Sequence, residues 1–214
     1  MIHPECEELI SYISEPVCIK CGRELKRSEE MQIYCSDCRE GNRYFDKGIS
    51  LINYDGIMTR SMSAIKNRYK KEYLDFYSER IYERLGDKIK AMEPDAFIPV
   101  PVHPERKRLR GYNQAEELSR RLSYCMDIPT ASDILIRRKN TEALKKLGAK
   151  ERRISLHDAF SAVKLSGLEN VCIIDDIYTT GATVEACAGA LYDAGAKKVC
   201  FVSVCAGGGR REEQ

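Results

Sequence analysis

The run VCIIDDIYTTGATV, residues 171–184, carries the plainest structural signal in the chain. Residues 171–174 are wholly apolar and read as a strand buried on both faces. This strand is expected to end in two carboxylates, Asp175 and Asp176. A short loop, Tyr178-Thr179-Thr180-Gly181-Ala182-Thr183, then leads straight into an alanine-rich helix over residues 182–194. A helix start offers unsatisfied backbone N–H groups and the positive end of the helix dipole. Threonine hydroxyls and a glycine that permits close approach complete an anion cradle. No Gly-Lys-Ser/Thr follows and no G-x-G-x-x-G is present, which excludes two common nucleotide-binding loops. Two acids ahead of a phosphate cradle suit a ligand with both a phosphate and vicinal hydroxyls. Ribose 5-phosphate has that shape.

Outward from this unit the chain alternates strands and helices, which predicts an α/β fold with a parallel sheet. Strands are expected at 47–54, 97–101, 134–136, 171–174 and 198–204. Helices are expected at 57–68, 72–91, 113–125 and 182–194. In the second of these helices Tyr73, Phe76, Tyr77, Ile81, Leu85 and Ile89 recur at steps of three and four. Residues 103–112 read as a basic loop, residues 139–157 as polar and at best partly helical, and the tail GGGRREEQ as loose.

With 214 residues, 43% of them hydrophobic and 32% charged, the chain fits one full domain plus a small accessory module. No apolar run approaches the roughly 20 residues of a membrane span. The start, MIHPECEELI, has no basic region followed by an apolar one, so no secretory signal and a cytoplasmic setting are expected. The formal net charge of +2 is unevenly spread. Residues 103–153 carry a local +7 and residues 60–90 a local +4, against −4 for residues 1–40. A basic middle serves a polyanionic partner or a phosphorylated ligand, or is a solvated helical surface.

Five of the ten cysteines lie in the first 40 residues, which show little apolar periodicity. Something must staple that segment, and in a reducing compartment metal is expected before disulfides. Cys18, Cys21, Cys35 and Cys38 read C-x2-C-x13-C-x2-C. Each pair can present two thiolates to one zinc ion from a tight turn, and the spacer lets the pairs meet from opposite sides. Four thiolates leave no open position, so the zinc is expected to be structural. Cys6 is a spare that could substitute as a ligand and is expected to stand free. Cys125, Cys172, Cys187, Cys200 and Cys205 fall in apolar stretches and read as small core residues.

The segment IIDDIYTTGAT resembles the phosphoribosyl pyrophosphate (PRPP) motif of type I phosphoribosyltransferases. More of the chain narrows the likeness. IPVPVHPERKRLRGYNQAEELSRRL resembles the ComF family, with Arg110, Gly111, Tyr112, Asn113 and Gln114 in its Arg-Gly-aromatic-Asn-Gln motif. YDGIMTRSMSAIK resembles that family's segment ending in a lysine, here Lys66. The four-cysteine element is also a family feature. Thr141, Leu147, Arg152, Ala159 and Phe160 fit the family pattern. Leu144 stands where glutamine is usual, Ser155 where asparagine is usual, and Asn67 where an aromatic often follows the lysine.

The resemblance implies a type I phosphoribosyltransferase-like domain over residues 46–214, with a mostly parallel sheet flanked by helices, and a small zinc ribbon over residues 1–45. It implies that Asp175 and Asp176 bind the ribose hydroxyls, directly or through Mg²⁺. Thr179, Thr180, Gly181, Ala182 and Thr183 would hold the 5-phosphate, largely through backbone N–H groups. Pro101, Val102 and His103 would form the turn that meets pyrophosphate. Lys66, Lys107, Arg108 and Arg110 would stabilise the departing pyrophosphate, although each alone also reads as a solvated surface charge and His103 equally as a surface histidine. The implied activity is Mg²⁺-dependent phosphoribosyl transfer to an acceptor the residues do not identify. The family's association with DNA uptake, together with the basic middle, raises a second expectation: single-stranded DNA handled by a protein that keeps PRPP as a regulatory ligand. A third is that residues 1–45 dock a partner protein, such as other DNA-uptake proteins.

Overall fold

The computed structural model describes residues 4–25, 31–41, 43–138 and 159–207. In chain order the elements are α1 (Pro4–Glu8), α2 (Ser36–Glu40), β1 (Lys47–Asn53), α3 (Gly56–Arg68), α4 (Tyr73–Lys90), β2 (Ala96–Pro99), α5 (Pro104–Arg110), α6 (Gln114–Met126), β3 (Leu135–Arg137), β4 (Phe160–Ala162), β5 (Asn170–Tyr178), α7 (Ala182–Asp193) and β6 (Lys198–Ala206). Four strands form one wholly parallel sheet in the order β1-β6-β5-β2. β3 and β4 pair antiparallel as a separate two-stranded unit.

Side chains alternate across a strand, and the sheet therefore divides the core in two. Val171 and Ile173 of β5, with Val199 and Phe201 of β6, face α7, the β3–β4 pair and the first cysteines. Cys172 and Ile174, with Cys200, Val202 and Val204, face α3, α4 and α6. On α4 the expected stripe is buried at Phe76, Tyr77, Ile81 and Ile89. Tyr73, at the helix start, is exposed, and Leu74 takes the buried place beside it. Asp55 caps α3 by accepting from the Ile57 and Met58 amides at 3.0 and 2.9 Å, the usual N-cap role of an aspartate.

Three sequence expectations are corrected. The basic stretch after β2 is a helix, α5, and not a loop. Pro104 sits at its first turn, Lys107, Arg108 and Arg110 crowd its last turn, and Gly111 closes it, the arrangement a helix dipole favours. The strand of the central motif does not stop at the acids but runs to Tyr178, so the loop proper is Thr179-Thr180-Gly181. Backbone pairing carries it on, with Asp175 opposite Ser203 and Ile177 opposite Cys205 of β6. The strand β4 was not expected, and it takes β3 out of the parallel sheet. The expectations for residues 139–157 and for most of the tail, with Thr141, Leu144, Leu147, Arg152 and Ser155, lie outside the described residues.

The N-terminal segment covers the open edge of β1. The Ile13 amide donates to the Leu51 carbonyl at 3.0 Å, and the Asn53 amide donates to that of Ser11 at 2.8 Å. Farther along, the Gly48 amide donates to the Lys20 carbonyl at 2.7 Å. A Cβ at Gly48 would lie 1.9 Å from Cε1 of Phe201. That ring is fixed, edge-on to Phe45 at 4.9 Å and stacked on Tyr178 at 4.6 Å between centroids. Gly48→Ala is therefore expected to cost about 3 kcal/mol through overpacking, read as a lowered urea midpoint with an unchanged slope.

Candidate functional site

The site is built at the carboxyl end of β5, the place where open α/β sheets present ligands. Asp175 and Asp176 are both buried, at 8% and 5% exposure. As strand neighbours they point to opposite faces. Asp175 lines a depression with Ile177, Tyr178 and residues 179–184. Asp176 turns toward α3, where Lys66 Nζ lies 2.5 Å from its Oδ2. The Asp176 amide donates to Asp175 Oδ1 at 2.9 Å, which ties the two together.

Their electrostatics follow from this crowding. Burial first, and then the Asp176 carboxylate, pushes the Asp175 carboxyl well above the usual range. Burial pulls the Lys66 ammonium down, but the charge and hydrogen bond of Asp176, aided by Asp175, outweigh it and hold the lysine charged beyond its ordinary range. One cation is thus shared by two buried acids, and oxygen donors in such a cluster fit a hard divalent ion or sugar hydroxyls.

The loop after β5 opens onto α7. Gly181 is its N-cap, with φ +80° and no side-chain cap, and the first-turn N–H groups of a helix lack partners within the helix. Thr180 Oγ1 only approaches the Ala182 amide, at 3.5 Å. A Cβ at Gly181 would meet Tyr178 Oη at 2.7 Å and Arg43 Nη1 at 3.0 Å. Tyr178 cannot move aside, because it is buried and stacked on Phe201. Gly181→Ala combines this clash with a left-handed backbone, and is expected to destabilise by roughly 2 kcal/mol in urea unfolding.

The remaining predicted positions are placed unevenly. The Val100 amide donates to the Ile174 carbonyl at 2.9 Å, so Pro101, Val102 and His103 leave β2 beside the two acids. Arg110 is partly buried near Lys66 and donates to Gln114 Oε1 at 2.8 Å. Lys107 is exposed and paired with Glu116 at 3.1 Å, and Arg108 is exposed. His103 lies 3.6 Å from Glu105. Two residues of the Arg-Gly-Tyr-Asn-Gln run act on this frame in ways the sequence did not show. Asn113 donates to the Val100 carbonyl at 3.0 Å, fixing the turn, and the Tyr112 hydroxyl donates to the Ile65 carbonyl next to Lys66.

The four cysteines converge at the other end of the loop. The knuckle around Cys18 and Cys21 is a tight hairpin, with the Cys18 amide donating to the Arg23 carbonyl and the Gly22 amide to that of Cys18, both at 2.8 Å. Cys35 and Cys38 flank the first turn of α2. The four Sγ atoms lie within 4.8 Å of one another, with Cys21 and Cys35 3.7 Å apart. Zinc–sulfur bonds of about 2.3 Å in a tetrahedron require sulfur separations of about 3.8 Å, so the donor set fits zinc. Cys6 is exposed and outside the cluster. Cys172, Cys187, Cys200 and Cys205 are buried, and Cys125 is half-buried against the core.

Residues 104–214 match the phosphoribosyl transferase domain family, the class that the sheet and the loop after β5 define. The chain is 34% identical to Competence protein F of Haemophilus influenzae, over 84% of this chain and 79% of that protein. It is 26% identical to Competence protein ComFC of Bacillus subtilis, over 89% of this chain and 77% of the relative. A shorter match, 33% identical over 52% of this chain and 49% of the relative, is to the DNA utilization protein YhgH of Escherichia coli O157:H7. The chain belongs to the ComF family of phosphoribosyltransferase-like proteins. No helix among the described residues is long and apolar enough to cross a membrane.

Proposed function

We propose that the chain binds PRPP with Mg²⁺ and transfers its phosphoribosyl group to an acceptor in the service of DNA uptake. One observation carries this reading: two buried acids near the carboxyl end of a central parallel strand lead, through Ile177 and Tyr178, into a Thr-Thr-Gly loop at the start of a helix. The N–H groups of residues 180–183 would receive the 5-phosphate. Asp175 and Asp176 would accept hydrogen bonds from the ribose hydroxyls and hold the magnesium, which would offset pyrophosphate charge. Pro101, Val102 and His103 would line the pyrophosphate side. Lys66 and Arg110 would supply fixed positive charge where the leaving group gathers negative charge. As the acceptor attacks the anomeric carbon, the bond from that carbon to the pyrophosphate oxygen breaks and pyrophosphate departs with the electron pair. The four-cysteine module over residues 1–45 would hold zinc as a structural ion beside the domain at 46–214. The test is release of pyrophosphate from PRPP and Mg²⁺ across a panel of nucleobase, nucleoside and oligonucleotide acceptors. Acceptor-dependent release that vanishes in Asp175→Asn/Asp176→Asn supports transfer. Release that persists in the double variant overturns the site.

A second reading is favoured by α5, whose Lys107 and Arg108 are exposed beside that site. Here the protein handles single-stranded DNA and PRPP regulates it. Binding measured by anisotropy should weaken steeply between about 50 and 200 mM salt. A lack of binding at the lower salt would remove direct contact with DNA.

A further inference from the structure

The cysteine cluster and the loop after β5 are joined by two arginines, Arg23 buried and Arg43 half-buried. Arg23 stands two residues beyond Cys21 and is 4% exposed. Its Nη1 donates to Asp37 Oδ2 at 2.9 Å, and its Nη2 donates to the Thr179 carbonyl. Arg43 follows the second knuckle. Its Nη1 donates to the Thr180 carbonyl at 3.0 Å, its Nη2 to the Asp37 carbonyl at 3.2 Å, and Glu185 Oε1 of α7 lies 3.8 Å away. Asp37 sits between Cys35 and Cys38 and so connects both arginines to the thiol cluster.

The geometry has a direct consequence for the loop. In a planar trans peptide the N–H points away from the C=O. With the Thr179 and Thr180 carbonyls held from behind by Arg23 and Arg43, the N–H groups of Thr180 and Gly181 are turned to the opposite side. Both guanidiniums also bring positive charge to the back of the loop. Neither contact involves a group that a ligand would need, so the arginines act on the loop and not on the ligand.

We infer that Arg23 and Arg43 are positioning residues that couple metal occupancy of the four-cysteine cluster to anion affinity of the Thr-Thr-Gly loop. This rests on reading that loop as the phosphate site. Coupling between two sites is reciprocal. If zinc-held knuckles shape the loop for a phosphate, a bound phosphate must in turn hold the knuckles and their zinc.

The experiment uses full-length zinc-loaded protein. Transfer of zinc to a chromogenic chelator is timed with and without PRPP and Mg²⁺, and PRPP affinity is measured by calorimetry on the same samples. The wild type is expected to release zinc roughly tenfold more slowly when PRPP is bound. Arg23→Gln/Arg43→Gln, checked to carry one zinc per chain, is expected to bind PRPP roughly tenfold more weakly and to lose the slowing. Arg43→Lys, which can still donate to the Thr180 carbonyl, is expected to restore part of both. A purely structural role for the arginines would lower stability without removing the dependence of zinc release on PRPP. PRPP binding to the wild type with no effect on zinc release, or equal PRPP affinity in the double variant, overturns the coupling alone. A wild type that binds no PRPP overturns the phosphate reading, and the coupling with it.

Discussion

Cys21→Ser is expected to lower the stability of the whole chain by on the order of 5 kcal/mol, and chelation of the wild type should do the same. The reason lies in what the cluster holds in place. Cys18, Cys21 and Cys35 belong to the same buried cluster as Phe45, Tyr178 and Phe201. Residues 11–13 hydrogen-bond along the free edge of β1. Without the metal the segment has too little apolar surface to fold by itself. Its release would uncover both Phe45 and a hydrogen-bonding strand edge, and such edges pair with other chains. Light scattering should therefore rise together with the fall in the urea midpoint. An unchanged midpoint and a clear solution after chelation would show that the cysteines do not staple the fold.

The second large effect concerns the buried acids, and two substitutions are expected to act in opposite directions. Lys66→Met leaves Asp176 buried without its cation and should cost about 3–5 kcal/mol. Asp175→Asn should instead stabilise the ligand-free protein by about 1–2 kcal/mol at neutral pH while removing the carboxylate charge that the proposed ligand and its magnesium would use. The sign follows from linkage. The folded protein keeps Asp175 protonated well above the pH at which the unfolded chain ionises it. Between an ordinary carboxylate value of about 4 and the raised folded value, the folded state binds more protons, so stability falls as pH rises. Asp175→Asn should flatten that slope. Ligand binding that needs the ionised pair should release a proton, and calorimetry in two buffers of different ionisation heat would read it. A steeper slope in Asp175→Asn would contradict the assignment.

Local chemistry was legible in the sequence, and long-range geometry was not. The apolar run at 171–174, the Thr-Thr-Gly loop and the paired C-x2-C knuckles announce themselves, because each depends on residues a few positions apart. The change of polarity at Asp175 ends the apolar run that marks strand β5 in the sequence, whereas sheet pairing depends on backbone groups and continues through the acids to Tyr178. Helix α5 carried its signals in Pro104 and Gly111, but four basic residues in five positions read as solvated loop. The contact of Arg23 with Thr179 spans 156 positions. No spacing rule marks it; only a buried arginine in need of a partner reveals it.

Residues 175–183 form the proposed PRPP site. Calorimetric titration of zinc-loaded protein with PRPP in the presence of Mg²⁺ tests it most directly, with Asp175→Asn/Asp176→Asn as control. One site of about micromolar affinity is expected, lost in the double variant. No binding to the wild type, or equal binding to the double variant, would contradict it.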